Sequence, residues 1–516
     1  MAQDLTLAID IGTGSVRAAL VDPRGIILHM ASREHEQIVP AFGWAEQQPD
    51  DWWAGVVETV RTVLAALADR RPRIAAVCVC GQMHGTVLVD AAGQPTRPSV
   101  PLWNDKRTVD LVAAFERDHD PASYLAESGN PPTPAWPGFK LAWLRDHDPQ
   151  AFRAARTVLM PKDYINLRLT GESAMDTGDA SCSFLMHPAR RAWSATMLAR
   201  LGLEAALLPP IREPLEILGR VTAEAAALTG LPAGTPVLVG GADFPVALLG
   251  SGVCRPGLAS DVTGTSCILT LVAETPLLDP GICNVMTVEG HWGAFVLLET
   301  GGDAMRWARR AFGGTMTYDD IAVRAAEAPA GAAGVFFLPY LTGERLGAHR
   351  NARAQLFGLG AAHGVAHLCR AVMEGVGFAA ARHLRIMEQA AGRPLEGVVA
   401  SGGGTKSALW LKIKASVYGI PILVPQEPEC GVVGCAAMAA TATGRFSHLA
   451  DAVAAYVHFQ QEVPPDPAWM ATYRLMQPIF DRLYVQSQAF YDDLDRLAGA
   501  GAGGRDSGAV PSLPRP

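Results

Sequence analysis

Asp10-Ile11-Gly12-Thr13-Gly14-Ser15 interrupts an apolar run close to the start of the chain. Residues 5–9 before it are strand-like and apolar, and residues 16–21 after it are a second such run. Asp22-Pro23-Arg24-Gly25 then turns the chain into a third run at residues 26–30. This pattern predicts an antiparallel meander whose first corner is a Gly/Thr/Ser hairpin. Glycines at such a corner let the backbone approach a ligand, and N–H groups with two hydroxyls can hold phosphate oxygens. Asp10, at the mouth of the turn, is placed to hold Mg²⁺, usually through its waters. A single hairpin of this kind is common, but the unit returns roughly 250 residues later. There Gly257-Leu258-Ala259-Ser260-Asp261-Val262-Thr263-Gly264-Thr265-Ser266 leads into a second apolar run at residues 267–272. Two copies predict two domains of like fold, which suits 516 residues, since one core stops growing at roughly 250–300.

Composition narrows the class. The chain is 49% hydrophobic and 18% charged, ordinary for a globular protein. Its 43 basic and 51 acidic residues leave a net charge of −8, which offers no electrostatic reason for a nucleic-acid partner. No window reaches the roughly 18 uninterrupted apolar residues of a membrane span. The N-terminus lacks a basic segment before its apolar run, so no signal peptide is expected. The nine cysteines form no C-x-x-C pair. Cys78 and Cys80, two apart in a strand-like run, should point to one face as small buried hydrophobes. A reducing, cytoplasmic compartment is the simplest fit.

Further stretches carry chemistry. Val237-Leu238-Val239-Gly240-Gly241-Ala242-Asp243-Phe244 breaks an apolar run at two glycines and delivers one carboxylate with no like charge near it in sequence. Such an acid either caps the following turn or serves as a base. Ile74 begins a strand-like run ending at Gly81-Gln82-Met83-His84-Gly85, and Pro101-Leu102-Trp103-Asn104-Asp105-Lys106-Arg107 is a polar cluster after a loop. Strand and loop ends are where ligands are commonly met, although His84 alone reads equally well as a satisfied interior histidine. A helix begins near Asp50 or Asp51 as N-cap, and Pro161-Lys162-Asp163-Tyr164 opens another. Gly402-Gly403-Gly404-Thr405-Lys406, between a strand and a helix, leaves room for a flat ring against bare backbone. Residues 431–439 form a small-residue helix suited to close packing, residues 336–345 end a strand in a polar loop, and residues 499–516 read as a disordered tail.

Taken together in this order, these loops resemble the FGGY family of carbohydrate kinases, within the actin-like (ribonuclease H-like) ATPase fold. Pro137-Gly138-Phe139-Lys140-Leu141-Ala142-Trp143-Leu144-Arg145-Asp146-His147 matches the family's first signature, with Ala135 departing at its leading position. The second is matched by Phe357-Gly358-Leu359 and, further on, His367-Leu368-Cys369-Arg370-Ala371-Val372-Met373-Glu374. The resemblance implies an α/β fold of two actin-like domains around a central cleft, with residues 1–251 binding sugar and 252–498 binding nucleotide. It implies an ATP-dependent kinase using Mg²⁺. Asp243 would be the general base and Asp10 would sit near the metal. Thr13, Gly14, Ser15 and Arg17 would lie at one phosphate site, Gly264 and Thr265 at the other, and Gly402, Gly403, Gly404 and Lys406 along adenosine. Met83, His84, Trp103, Asn104, Asp105 and Phe244 would surround the sugar.

Within the family, residues 81–85, 102–105 and 161–164 look most like those of xylulokinases, which makes D-xylulose, converted to its 5-phosphate, the expected substrate. Xylulokinases usually carry Asn where Phe244 stands. This keeps ribulose, L-xylulose, xylitol and erythritol as alternatives, because a hydroxyl left unpaired in a closed site costs roughly 1–3 kcal/mol. Asp261 departs from relatives too and is expected outside the site or beside Mg²⁺. A non-catalytic sugar sensor or actin-like ATPase is the rival from another class. A sensor would be expected to lack the base and carry an added DNA-binding segment, whereas this chain keeps Asp243 and starts almost at its first strand. A homodimer is expected only by analogy with relatives.

Overall fold

The computed structural model describes residues 4–67, 73–312, 314, 316–344 and 350–502. Two seven-stranded sheets organise them. The first is built from β1 (Asp4–Ile11), β2 (Ser15–Val21), β3 (Ile27–Glu34), β4 (Arg73–Gly81), β5 (Ile217–Arg220), β6 (Pro236–Leu238) and β7 (Gly241–Ala242). Their order is β3-β2-β1-β4-β6-β5, with β7 also on β4. The second is built from β8 (Leu258–Thr263), β9 (Cys267–Ala273), β10 (Cys283–Met286), β11 (Trp292–Leu298), β12 (Gly397–Ser401), β13 (Ile422–Pro425) and β14 (Phe459–Val463). These run β10-β11-β9-β8-β12-β13-β14.

The sheets correspond strand by strand. Antiparallel β3-β2-β1 matches β11-β9-β8, and the parallel pair β1/β4 matches β8/β12. Parallel β4/β6 matches β12/β13, and antiparallel β6/β5 matches β13/β14, so β7 and β10 are the strands without a counterpart. The duplicated hairpin is therefore the corner of a duplicated sheet, and the α/β fold with two actin-like units is the observed one.

The first sheet is covered on both faces, so its central strands are apolar throughout. Side chains alternate across it with a period of two, and here the alternation is also one of size. Leu7, Ile9, Ile11, Val77 and Val79 pack with Trp52, Val56 and Val60 of helix α1 (Pro49–Ala65). Ala8, Ala19, Ala76, Cys78 and Cys80 occupy the other face, where the two cysteines point the same way as expected. The small face is covered by a helix from the second half of the chain (Cys430–Ala442), through Val432, Val433, Cys435 and Ala436. Small residues on both partners let helix and sheet approach closely.

Four more helices matter for the site: α2 (Pro137–His147), α3 (Pro161–Thr170), α4 (Asp243–Gly250) and α5 (Ala408–Tyr418). The Cys430–Ala442 helix, α6, also crosses α4. A β-carbon on Gly250 would collide with the Cys430 carbonyl, and one on Gly434 with the Val246 carbonyl. Two glycines thus set the distance between these helices, as the small-residue pattern of residues 431–439 suggested.

Two expectations need correction. Gln48 rather than Asp50 or Asp51 holds the N-cap position of helix α1, without a side-chain capping bond, because Pro49, with its preset φ, takes the first helical position and moves the start upstream. Both aspartates fall in the first turn instead. The final helix, α7 (Gln488–Ala502), runs through residue 499, so the expected tail does not begin there. Residues 503–516 and Arg345 lie outside the described residues. Among the described residues no helix is long and apolar enough to cross a membrane.

Candidate active site

The geometry of the site begins at Gly240. Its φ of +72° is left-handed, and a β-carbon there would collide with the Val79 carbonyl, so only glycine lets the chain graze β4 at this point. Gly241 and Ala242 then pair with Cys80 and Gly81 of β4, and α4 starts at once with Asp243. On the other side of β4, Asp10 of β1 is in register with the same Cys80. The two carboxylates therefore emerge at the carboxyl ends of two strands that flank β4 and run parallel to it, where open α/β sheets bind their ligands. The isolation of Asp243 in sequence is not isolation in space.

A cavity of about 570 Å³ opens there between the two halves. Of the residues singled out from the sequence, Asp10, Thr13, Arg17, Met83, His84, Trp103, Asp243, Phe244 and Gly402 line it. Trp103 Nε1 donates to Thr13 Oγ1 at 3.0 Å, tying the aromatic loop to the hairpin. The His84 ring meets Trp136 edge-on, with centroids 5.0 Å apart. Burial holds this imidazole well below its ordinary pKa, so it is neutral at physiological pH.

Electrostatics set the two acids apart from ordinary carboxylates. Burial pushes Asp243 up to about 7, the Asp10 charge adds to the rise, and a 2.7 Å bond from the Phe244 N–H opposes it. Asp10 is raised as well, first by burial, against the pull of Arg17. Arg17 Nη1 lies 3.6 Å from Asp10 Oδ2 and 3.2 Å from Glu429 Oε2, bridging the first hairpin to the start of α6. Asp10 Oδ1 is buried with no protein partner, so the carboxylate has an acceptor to offer a cation or its water. Among the described residues no group of three or more His, Cys, Asp or Glu side chains could hold a metal ion unaided.

The other sequence candidates stand elsewhere. Gly264 and Thr265 form the exposed corner of the β8/β9 hairpin. Gly403, Gly404 and Lys406 follow Gly402 in a short turn at the end of β12, where Gly402 and Gly404 approach Thr263, and do not line the cavity. Gly14 and Ser15 belong to the first hairpin but likewise stay off the cavity wall. Asn104 donates to Gln37 at 3.0 Å, away from the cavity. Asp105 is fully buried beneath the wall, accepting from Arg107 and from the Ala45 N–H at 2.7 Å. A buried carboxylate needs such partners, and Arg107 is itself fixed over the Trp44 ring at 3.9 Å. Asp261 lies outside the cavity too, accepting from Lys414 of α5 at 2.8 Å, Thr263 at 2.6 Å and Tyr418 at 2.7 Å. Burial acts to raise its pKa, but Lys414 together with the bonds from Thr263 and Tyr418 outweighs it, so Asp261 stays ionised and ties β8 to α5.

Sequence reasoning missed Glu429, Trp136 and Phe295, all on the cavity wall. Glu429-Cys430-Gly431, an acid ahead of a small-residue helix, was the available signal. Phe295, on β11, had none until the sheet brought it edge-on to Phe244, with centroids 5.4 Å apart.

Residues 5–250 match the N-terminal domain of the FGGY family of carbohydrate kinases, and residues 259–443 match its C-terminal domain. The chain belongs to the FGGY family of carbohydrate kinases. A xylulose kinase of Escherichia coli (strain K12) is 31% identical over 490 residues, 93% of this chain and 98% of the relative. An autoinducer-2 kinase of Yersinia enterocolitica is 30% identical over 510 residues, 95% of this chain and 96% of the relative. The crystal structure of xylulose kinase from Rhodospirillum rubrum superposes with a TM-score of 0.89 at 31% identity, covering 95% of this chain and 100% of that one. This FGGY kinase is an ATP-dependent enzyme that phosphorylates a sugar.

Proposed function

We propose that the chain transfers the γ-phosphoryl group of Mg-ATP to D-xylulose, giving D-xylulose 5-phosphate, with Asp243 as general base. The observation that carries this is the pair Asp10 and Asp243, lining one cavity from the ends of the two strands that flank β4. The relatives named xylulose kinase support the substrate. Residues 1–251 would then bind the sugar and 252–498 the nucleotide, in the cytoplasm of the cell.

In this reading the sugar lies between Asp243, His84, Met83 and Trp103, with the attacking hydroxyl toward the carboxylate. An ordinary aspartate is a weak base; one raised to about 7 takes a hydroxyl proton more readily as bonding to phosphorus develops. Arg17 can turn from Glu429 toward a phosphate, since guanidinium binds either anion. Asp10 would hold Mg²⁺ through water, and when bound the ion would neutralise charge on the phosphate oxygens. The hairpin at Thr13 and Ser15 faces the transferring phosphate, and the one at Gly264 and Thr265 the remaining phosphates. The turn at 402–406 takes adenosine.

The adenosine assignment has its own test. A β-carbon on Gly403 meets nothing within 4 Å, so Gly403→Val leaves the fold undisturbed and fills only the space offered to the ring. The KM for ATP should rise about tenfold or more, the loss of a hydrophobic contact plus a steric block, with the sugar KM within about twofold. Equal changes in both would remove adenosine from this turn.

A specific observation favours a second reading of the substrate. Phe244 and Phe295 give the cavity a wall with no hydrogen-bonding group, next to the base. Such a wall suits a pentulose of different stereochemistry or a linear polyol, such as ribulose, L-xylulose, xylitol or erythritol. ADP release measured across these compounds and D-xylulose decides between the readings. D-Xylulose should give the highest kcat/KM; a tenfold preference for another compound would transfer the assignment to it. No stimulation by any of them would point to a sensor or ATPase.

A further inference from the structure

Five non-glycine residues among those described have positive φ, and His84, at φ 67°, is the one of them on the cavity wall. A histidine held in the left-handed region is strained, and such a residue persists only where its surroundings over-determine it. Here the determinant is identifiable. The His84 carbonyl accepts from Lys140 Nζ at 2.9 Å and from Thr86 Oγ1 at 3.1 Å. Lys140 is fully buried on α2 and directs its amine at this peptide rather than at solvent. Trp136, which caps the same helix, meets the His84 ring edge-on. One helix end thus grips His84 twice, by its backbone and by its ring.

The surroundings of Lys140 are equally specific. Its charge is favoured by Asp105 and opposed by Arg107, while burial is the largest influence and brings the amine down to about 7. Asp105 therefore has a place in the site after all, one layer behind it. His84 lines the cavity, and its Nδ1 is buried with no protein partner, a polar atom left for a bound ligand to satisfy.

We propose that Lys140 is a positioning residue, fixing the His84 peptide in its left-handed state together with Thr86 and so aiming the imidazole at the substrate. The proposal rests on the sugar-site reading of this end of the cavity. Lys140→Met removes the donor and keeps the apolar stem. Loss of a charge-assisted bond corresponds to roughly a 10- to 100-fold change. The KM for the best sugar substrate should rise by that factor, with the KM for ATP within about twofold. His84→Ala should raise the sugar KM comparably, and Lys140→Met in the His84→Ala background should add no more than about twofold, because the residue acts through the histidine.

A purely structural lysine would lower Tm and leave the sugar KM alone, or would add its full effect in both backgrounds; either result overturns the proposal. Should Lys140→Met fail to fold, Thr86→Val addresses the same carbonyl and should shift the sugar KM in the same direction, coupled to His84 in the same way. An unchanged sugar KM in Thr86→Val would then overturn the proposal. An unchanged sugar KM in His84→Ala would overturn the sugar-site reading itself, which separates the two failures.

Discussion

Asp243→Asn is expected to lower kcat by about 10²–10⁴-fold, the range usual for losing a general base. The substitution is nearly isosteric, and its amide oxygen can still accept the Phe244 N–H that now holds Oδ1 at 2.7 Å. Substrate binding should change little, so the loss falls on kcat rather than KM. The wild-type enzyme should show the same group in its pH profile. Burial pushes Asp243 up to about 7, so kcat/KM for the sugar should fall as pH drops below 7 and level off above it. That acidic limb should be absent from the residual activity of the variant.

Stability should move the other way. The Asp243 pKa is raised in the fold from 3.8 to about 7, so the native state holds its proton more tightly than the unfolded chain does. Stability from this group is complete below about pH 3.8 and is lost as pH rises through 7. Asn resembles the protonated form at every pH. Asp243→Asn should therefore have a higher Tm than the wild type at pH 8, the difference closing toward pH 4. A variant that is inactive because it is misfolded would show the opposite, a lower Tm throughout.

The second large effect is expected at the α4/α6 crossing. A methyl on Gly434 would overlap the Val246 carbonyl and approach the Val246 side chain to 2.8 Å. Backbone cannot yield as a long side chain does, and overpacking of this kind costs about 1–3 kcal/mol. For domains of 150–250 residues each kcal/mol lowers Tm by roughly 2–4 °C. Gly434→Ala should also reduce kcat by about tenfold or more even where the protein is folded, because α4 begins with Asp243 and small displacements of a reacting group are expensive. Gly397→Ala is the matched control: its β-carbon would meet only Leu258 at 3.5 Å, an ordinary contact. Melting curves and steady-state rates on both variants separate a specific crossing from a general intolerance of added methyls.

Much of this was legible in the chain because the informative patterns are local. The Gly12–Ser15 corner and its copy at Gly264–Ser266 carry turn chemistry that any fold must respect, and their repetition predicts a repeated sheet. Asp243 was legible for the same reason, as a carboxylate behind two glycines. What stayed hidden depends on register and on distant partners. Asp10 and Asp243 face each other only because β1 and β7 pair with the same residue of β4. Asp105 sits in a polar loop that reads as a sugar contact, yet Arg107, locked on Trp44, turns it inward. Residues 431–439 announced close packing, but nothing near them in sequence named the first sheet as the partner. The last turn of α7 was missed because its Gly/Ala composition outweighed a helix already under way from Gln488.

The most direct test of the central claim is ADP formation from Mg-ATP with and without D-xylulose, measured side by side for the wild type and Asp243→Asn. The wild type should release ADP only slowly alone and much faster with D-xylulose, one ADP for each sugar phosphate formed. The variant should bind both substrates and lose the stimulated rate by about 10²-fold or more. A variant that kept near-full stimulated activity would contradict the assignment of Asp243 as the base.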